Sequence, residues 1–180
     1  VSTSRFGTGL QGGIIGMFSD ILGRNQIIGN LAVNGEIYDF GGLIAYINQK
    51  SRINYGVALS HIPYVTGFRS YGQFNPQFST QPIDTISTNI LRTFEDKIDV
   101  FASYPFDKIH RFEAGTAIAR YSYRLDRFNN FYENVNGYPT FFLGSDREKV
   151  SKEQATNALG IPLDPFNIMQ ANAFFVGDNS

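Results

Sequence analysis

The sequence predicts an all-β fold: an antiparallel, transmembrane up-and-down β-barrel, or the first half of a larger one, with two long loop insertions and one short helix. Three observations predict it. The first is composition. Charged residues make up only 17% and aromatics reach 15%, with 17 Phe, 10 Tyr, 18 Gly and no Trp. A strand with lipid on one side and water on the other needs this mixture, because every second residue is apolar while no long apolar run develops. The second is alternation with period two, the signature of a strand between two environments. The third is length. The alternating segments approach the ~9–11 residues that cross a bilayer when tilted, whereas strands of soluble sheets are nearer ~5–6.

Residues 12–22 (GGIIGMFSDIL) open as a glycine-rich strand, and Gly23-Arg24-Asn25 make a turn. Residues 26–35 alternate well: Ile27, Gly29, Leu31 and Val33 share one face, and Gln26, Asn30 and Asn34 the other, with Ile28 and Ala32 among them. Glu36 to Asp39 form the next turn, residues 40–49 a third strand of less clear phase, and Lys50-Ser51-Arg52 a charged turn. Residues 53–61 set Ile53, Tyr55, Val57 and Leu59 against Asn54, Gly56, Ala58 and Ser60. The small and polar face suits a barrel lumen, and the branched and aromatic face suits lipid.

Residues 62–84, with Pro63, Pro76 and Pro82 among several aromatics, read as a first long loop. Strands resume over 85–94, 97–104 and 111–124. In the last, Glu113, Arg120 and Arg124 lie among apolar neighbours, and a charge at the lipid midplane costs ~2–4 kcal/mol. They are therefore expected in the lumen or beyond the bilayer edge. Glu113 and Arg120 have opposite parity, which puts one of them near a boundary. Residues 126–167 read as the second insertion. Inside it, Ser151-Lys-Glu-Gln154 is a capping box ahead of a helix over 152–159, stopped by Gly160 and Pro162. Residues 168–177 return to strand, giving about eight strands, enough to close a small barrel. The final Gly177-Asp-Asn-Ser180 follows a strand-like segment without a terminal aromatic, and is read as a truncation.

Function classes narrow accordingly. The net charge of −1 and the lack of a basic stripe argue against nucleic acid as a partner. There is no Cys, so disulfides, thiolate metal sites and a Cys nucleophile are excluded. No apolar run is long enough for a transmembrane helix.

Several motifs resemble a known family. Gly12-Gly13 with Phe18-Ser19-Asp20-Ile21-Leu22-Gly23, Asn34-Gly35, Asp39-Phe40-Gly41-Gly42, Tyr46-Ile47-Asn48 and Ser60-His61-Ile62-Pro63-Tyr64 are of this kind. So are Tyr104-Pro105-Phe106, His110-Arg111-Phe112-Glu113 and Val176-Gly177-Asp178-Asn179-Ser180. They resemble the C-terminal barrel region of Bacteroidetes proteins that carry an upstream TolB-like β-propeller before a surface-antigen, Omp85-like barrel. The resemblance touches most of the chain outside the two insertions. It implies the bacterial outer membrane, a propeller upstream and further strands downstream, and it identifies architecture rather than activity.

No catalytic, cofactor-binding or metal site emerges. His61 and His110 are the only histidines and lie 49 residues apart, without metal-ligand spacing. The Ser19 segment lacks the Gly-x-Ser-x-Gly elbow. Asp20, Glu36 and Asp39 are better explained as turn residues bonding their own backbone than as calcium ligands. Tyr38, Tyr46, Tyr55, Tyr64, Tyr104 and Tyr121 lie near strand ends, where interfacial aromatic girdles form.

The expectation is a non-enzymatic protein of the bacterial outer membrane, an anchor or a pore for translocation or assembly. Its partners would be outer-membrane lipid and other subunits of an envelope complex, with no cofactor. The alternative is a soluble β-barrel that binds an apolar small molecule, with the apolar face turned inward.

Overall fold

Alternation along the chain becomes an antiparallel sheet. The structure, a computed structural model, describes residues 2–4, 7–36, 39–75, 82–107 and 109–177. Its elements are β1 (Ser2–Ser4), β2 (Gly7–Ser19), β3 (Asn25–Gly35), β4 (Phe40–Asn48), β5 (Asn54–Phe74), β6 (Ile83–Pro105), β7 (His110–Val135), β8 (Tyr138–Val150), α1 (Lys152–Leu159) and β9 (Phe166–Gly177). Neighbours in sequence are neighbours in the sheet from β1 to β8, and β9 pairs with β7. The fold is thus all-β with one short helix. Among the described residues the sheet is not closed into a barrel.

The chain divides into two compact units. Unit 1 holds residues 1–63, 94–121 and 165–180, and unit 2 holds residues 64–93 and 122–164. In unit 1, β2 pairs with β3 from Leu10↔Gly35 to Ser19↔Gln26, β3 with β4 from Asn25↔Asn48 to Val33↔Phe40, and β4 with β5 from Gly42↔His61 to Asn48↔Tyr55. The β7–β9 ladder runs from His110↔Gly177 to Tyr121↔Phe166, and the β7–β8 ladder from Leu125↔Val150 to Val135↔Tyr138.

Both expected long loops are mostly strand. Instead of a loop over 62–84, β5 continues to Phe74 and β6 begins at Ile83. The aromatic residues that looked loop-like are good strand formers. Pro63 is tolerated because the β4 ladder ends at Gly42↔His61, so its missing N–H removes no bond on that side. Pro76 lies outside the described residues. The segments 85–94 and 97–104 are one strand, β6.

Within 126–167, β7 runs on to Val135 and returns as β8 through Asn136-Gly137, whose φ values are 56° and 86°. An Asn-Gly pair with positive φ at both residues matches the backbone twist of a two-residue hairpin. The helix over 152–159 forms as expected: Ser151 Oγ accepts from the Gln154 N–H at 3.3 Å, and Gln154 Oε1 accepts from the Ser151 N–H at 3.1 Å. Gly160, with φ of 69°, ends it in left-handed backbone.

In unit 2, Leu125, Val150, Ala155 and Leu163 form a buried apolar cluster, flanked by Phe68, Leu91, Tyr123 and Leu159. This is an ordinary small core, in which a helix covers part of a sheet.

Candidate membrane-facing surface

Side chains of one parity share a face along a strand, and directly paired residues share a face across the ladder. The registers of unit 1 therefore assign its two faces. One carries Ile14 and Phe18 of β2, Ile27, Leu31 and Val33 of β3, and Phe40, Ile44 and Tyr46 of β4. It continues through Tyr55, Val57 and Leu59 of β5. On β7 and β9 the same kind of face holds Phe112, Ala114, Ile118, Met169, Ala171, Ala173 and Phe175. The opposite face is mixed: it carries Gln26, Asn30, Ala45, Gly56, Ala58 and Ser60 together with Ile15, Met17, Ile28, Leu43 and Ile47, and on β7 and β9 it carries Arg111, Glu113, Gly115, Gln170 and Asn172 together with Ile168 and Phe174.

Burial runs inside out along β5, β6 and β7, whereas β2 and β9 are exposed on both parities. On β6, Lys97 and Asp99 are half-buried, while Ile98 and Val100 between and beyond them are exposed. On β5, Tyr55, Val57 and Leu59 are exposed, and Gly56, Ala58 and Ser60 are not. On β7, Thr116, Ile118 and Arg120 are exposed around buried Ala117 and Ala119. Phe18 at 73% and Met169 at 74% stand almost free. Soluble monomers rarely expose contiguous apolar patches beyond a few hundred Å².

At Gly56 and Gly115 the polar-parity face is crowded. A Cβ on Gly56 would lie 2.5 Å from Phe101 Cε1, and one on Gly115 would lie 2.7 Å from Asn172 Oδ1. These two glycines are required by close approach. The charges on this face are paired. Arg111 donates to Glu113 at 2.5 Å, Lys97 meets Asp99 at 2.9 Å, and Tyr121 Oη donates to Glu95 at 2.7 Å. A cavity of about 230 Å³ lies here, lined by Phe101, Ser103, Glu113, Asn172 and Phe174 among others.

The parity conflict between Glu113 and Arg120 resolves as expected of opposite faces. Glu113 lies with the polar face, and Arg120 lies on the apolar one at its end. From His110 to Arg120 the strand covers roughly 33 Å at ~3.3 Å per residue. At a tilt of ~40° that spans roughly 25 Å, the height of the apolar band of a membrane barrel.

Polar and aromatic clusters sit at the short turns. Asn25 Oδ1 accepts from Tyr46 Oη at 2.9 Å and from Asn48 Nδ2 at 2.7 Å. Arg52 lies 4.8 Å over the Tyr104 ring and donates to the carbonyls of Pro105 and Phe106. Asp107 accepts from His110 Nδ1 and from the N–H groups of Ile109 and His110. The histidine bond above all, then those amides, pull its carboxyl down to about 2. Asp20 accepts from the N–H groups of Arg24 and Asn25, and the Asn25 amide in particular lowers its carboxyl below the usual range. Asp39 accepts from the Glu36 N–H at 3.2 Å. These carboxylates serve their own turns. His61 stacks between Phe40 and Phe94, with Nδ1 2.6 Å from Asp96. His110 stacks on Phe175. The structure therefore keeps the two histidines in separate clusters, and no group of three or more His, Asp or Glu side chains gathers among the described residues.

Of the tyrosines expected near the interfaces, Tyr46, Tyr55 and Tyr104 belong to strand ends beside turns. Tyr121 is turned to Glu95, Tyr64 belongs to unit 2, and Tyr38 lies outside the described residues. No helix among the described residues is long and apolar enough to cross a membrane.

Sequence reasoning missed the ion-pair centre of unit 2. Asp126, 1% exposed, takes Arg92 at 2.5 Å, Arg124 at 3.0 Å and Arg147 at 3.8 Å. Arg127 donates to Asn89, Asn89 to Ser70, and Ser87 to Asn129. Reading residues 126 onward as an insertion hid Asp126. The strand alternation that continues past it was the available signal. Comparison of the chain with protein-family models, with characterised proteins and with solved structures finds no match.

Proposed function

We propose that unit 1 is the wall of an outer-membrane β-barrel and that the protein is a non-enzymatic membrane anchor carrying unit 2. The observation that carries this reading is the inside-out burial along β5 and β6 of unit 1, with exposed Val57, Leu59, Ile98 and Val100 beside sheltered Ser60, Lys97 and Asp99. In a soluble barrel with an apolar interior, the apolar parity would be the crowded one. Here the crowding is on the other side, at Gly56–Phe101 and Gly115–Asn172. Lipid is the partner that suits the apolar face. Outer-membrane lipid and further envelope subunits complete the proposed setting, without a cofactor or nucleic acid. The motifs that resemble the barrels of TolB-like propeller proteins fall mainly in the hairpins of unit 1 and agree with it.

Strand direction supports closure. Short connections make successive strands antiparallel, so β2 and β9 run the same way. They could pair directly only as parallel strands. The run from β1 pairs with β2 in the opposite sense, Ser2↔Gly9 to Ser4↔Gly7, which is the direction an antiparallel closure with β9 needs. Unit 1 then holds β1 to β7 and β9, eight strands. An eight-stranded barrel has an interior just wide enough for side chains to fill, which favours an anchor over an open pore.

The test is solubility and heat modifiability. The chain is expected to need detergent, to migrate differently on gels before and after boiling, and to give no steady conductance in planar bilayers. A monodisperse protein in plain buffer would overturn the membrane reading, and large stable conductance steps would replace anchor by pore.

A further inference from the structure

We infer that unit 2 carries a saccharide-binding site, a reading independent of how unit 1 meets the membrane. A cavity of about 490 Å³ opens between the Tyr71–Gln73 stretch of β5, the Asp84–Ile86 stretch of β6 and the β7–β8 turn. That volume lies within the ~300–1,000 Å³ of small-molecule sites. Tyr71 and Gln73 share one face of β5, and Asp84 and Ile86 share one face of β6. The Tyr71 ring is largely exposed.

The polar groups are fixed before any ligand arrives. Asp84 Oδ1 accepts from Gln73 Nε2 at 2.9 Å, and Oδ2 accepts from Asn134 Nδ2 at 2.7 Å. Asn134 is anchored in turn. Its Oδ1 accepts from the Gly137 N–H at 2.8 Å, and its own N–H donates to the Pro82 carbonyl at 3.0 Å. A carboxylate has about four acceptor positions. Two are used here, and no cation pairs with Asp84 among the described residues.

The remaining positions point to the ligand class. A carboxylate with both oxygens partly free accepts two hydroxyl donors side by side, as a vicinal diol presents them. Gln73 Oε1 adds a further acceptor. The Tyr71 ring offers a flat apolar surface for the C–H face of a pyranose. An anionic ligand would meet an uncompensated carboxylate, and a purely apolar one would strip Asp84 of water without replacing its bonds. A neutral sugar satisfies both the ring and the carboxylate.

The experiment uses the full chain in a zwitterionic detergent, since a maltoside would compete. Maltose, lactose, cellobiose and chitobiose are titrated at millimolar concentrations by calorimetry and by saturation-transfer NMR. At least one is expected to bind, with transfer strongest to C–H protons on one ring face. Asp84→Asn and Tyr71→Ala are each expected to weaken binding at least tenfold, because a site built around hydroxyl donors discriminates strongly when its acceptor is lost. Tyr71→Phe is expected to retain binding. Tyr71 is exposed, so its variants test the site without endangering the fold. Absence of binding for all four sugars overturns the inference. So does binding that survives both weakening substitutions, or binding of ethanolamine in place of the sugars.

Discussion

Unit 1 and unit 2 are cut from the same long strands, yet among the described residues the buried apolar cluster and the buried ion-pair centre both belong to unit 2. Among the described residues the buried apolar side chains of unit 1 are Ala117 and Ala119, while Leu125, Phe128, Val150, Ala155 and Leu163 are all in unit 2. Unit 2 gathers a small apolar cluster under a capped helix and satisfies Asp126 with arginines, while Phe141, Phe142 and Leu143 of β8 stay exposed. Unit 1 displays its large apolar side chains and shelters small and charged ones. Along the even positions of β7 the change is visible residue by residue. Phe112, Ala114, Thr116 and Ile118 give way to Arg120, Arg124 and Asp126. The lesson is that strand length and β propensity do not tell which parity of a strand is sheltered. The chemistry of the exposed parity does.

The largest expected effect is in unit 2. Removing one partner of a buried ion pair costs about 3–5 kcal/mol, because the other charge stays behind. Asp126→Ala is therefore expected to destabilise unit 2 by that order, read as early hydrogen exchange of β7–β8 amides. Small loss there would mean that water already reaches Arg92, and the contrast between the units would weaken.

Next comes the apolar face. Leu59→Arg is expected to cost about 2–4 kcal/mol when the protein is unfolded from lipid vesicles. At a water-facing surface the same change falls within about ±0.5 kcal/mol. Ser60→Arg, one residue away on the polar face, is the control and should cost less. Equal costs would erase the assignment of faces.

Smaller still is the helix cap. Ser151→Ala removes the acceptor for the Gln154 N–H and should cost about 1 kcal/mol. It should loosen α1 and the Ala155–Leu163 cluster and leave unit 1 amides untouched. Propagation into unit 1 would show that the two are not independently stable.

The slightest effect is acid sensitivity of the β6–β7 turn. The carboxyl of Asp107 falls from an ordinary 3.8 to about 2 on folding. A depressed acid supports the fold fully above its unfolded value and loses that support as pH drops through its folded one. Exchange of the Ile109 and His110 amides should therefore quicken below about pH 4, reaching its limit near pH 2. Asp107→Asn should flatten the profile.

Much of this was legible in the residues. The period-two runs at 26–35 and 53–61 announced strands, and Ser151 to Gln154 announced the helix. Proline and aromatic density misled at 62–84, because the cost of Pro63 depends on whether a partner strand is still present, which only the register tells. Asn136-Gly137 carried a hairpin signal that the insertion reading passed over. The Asp84 cavity and the Asp126 centre could not be read locally. Their members come from β5, β6 and β7, separated by tens of residues and joined only by pairing.

The way β8 and β9 share β7 has one more consequence. Leu125 pairs with Val150 and Tyr121 with Phe166, so four steps back along β7 correspond to sixteen forward along the chain. Fifteen residues, 151–165, lie outside the ladder between them, α1 among them. A ladder counts only the residues it pairs, so that excursion behaves as a cassette. It can lengthen, shorten or be exchanged without moving Phe166 or Ile168 off the face each occupies, provided it keeps the apolar seat of Ala155, Leu159 and Leu163 against Leu125 and Val150.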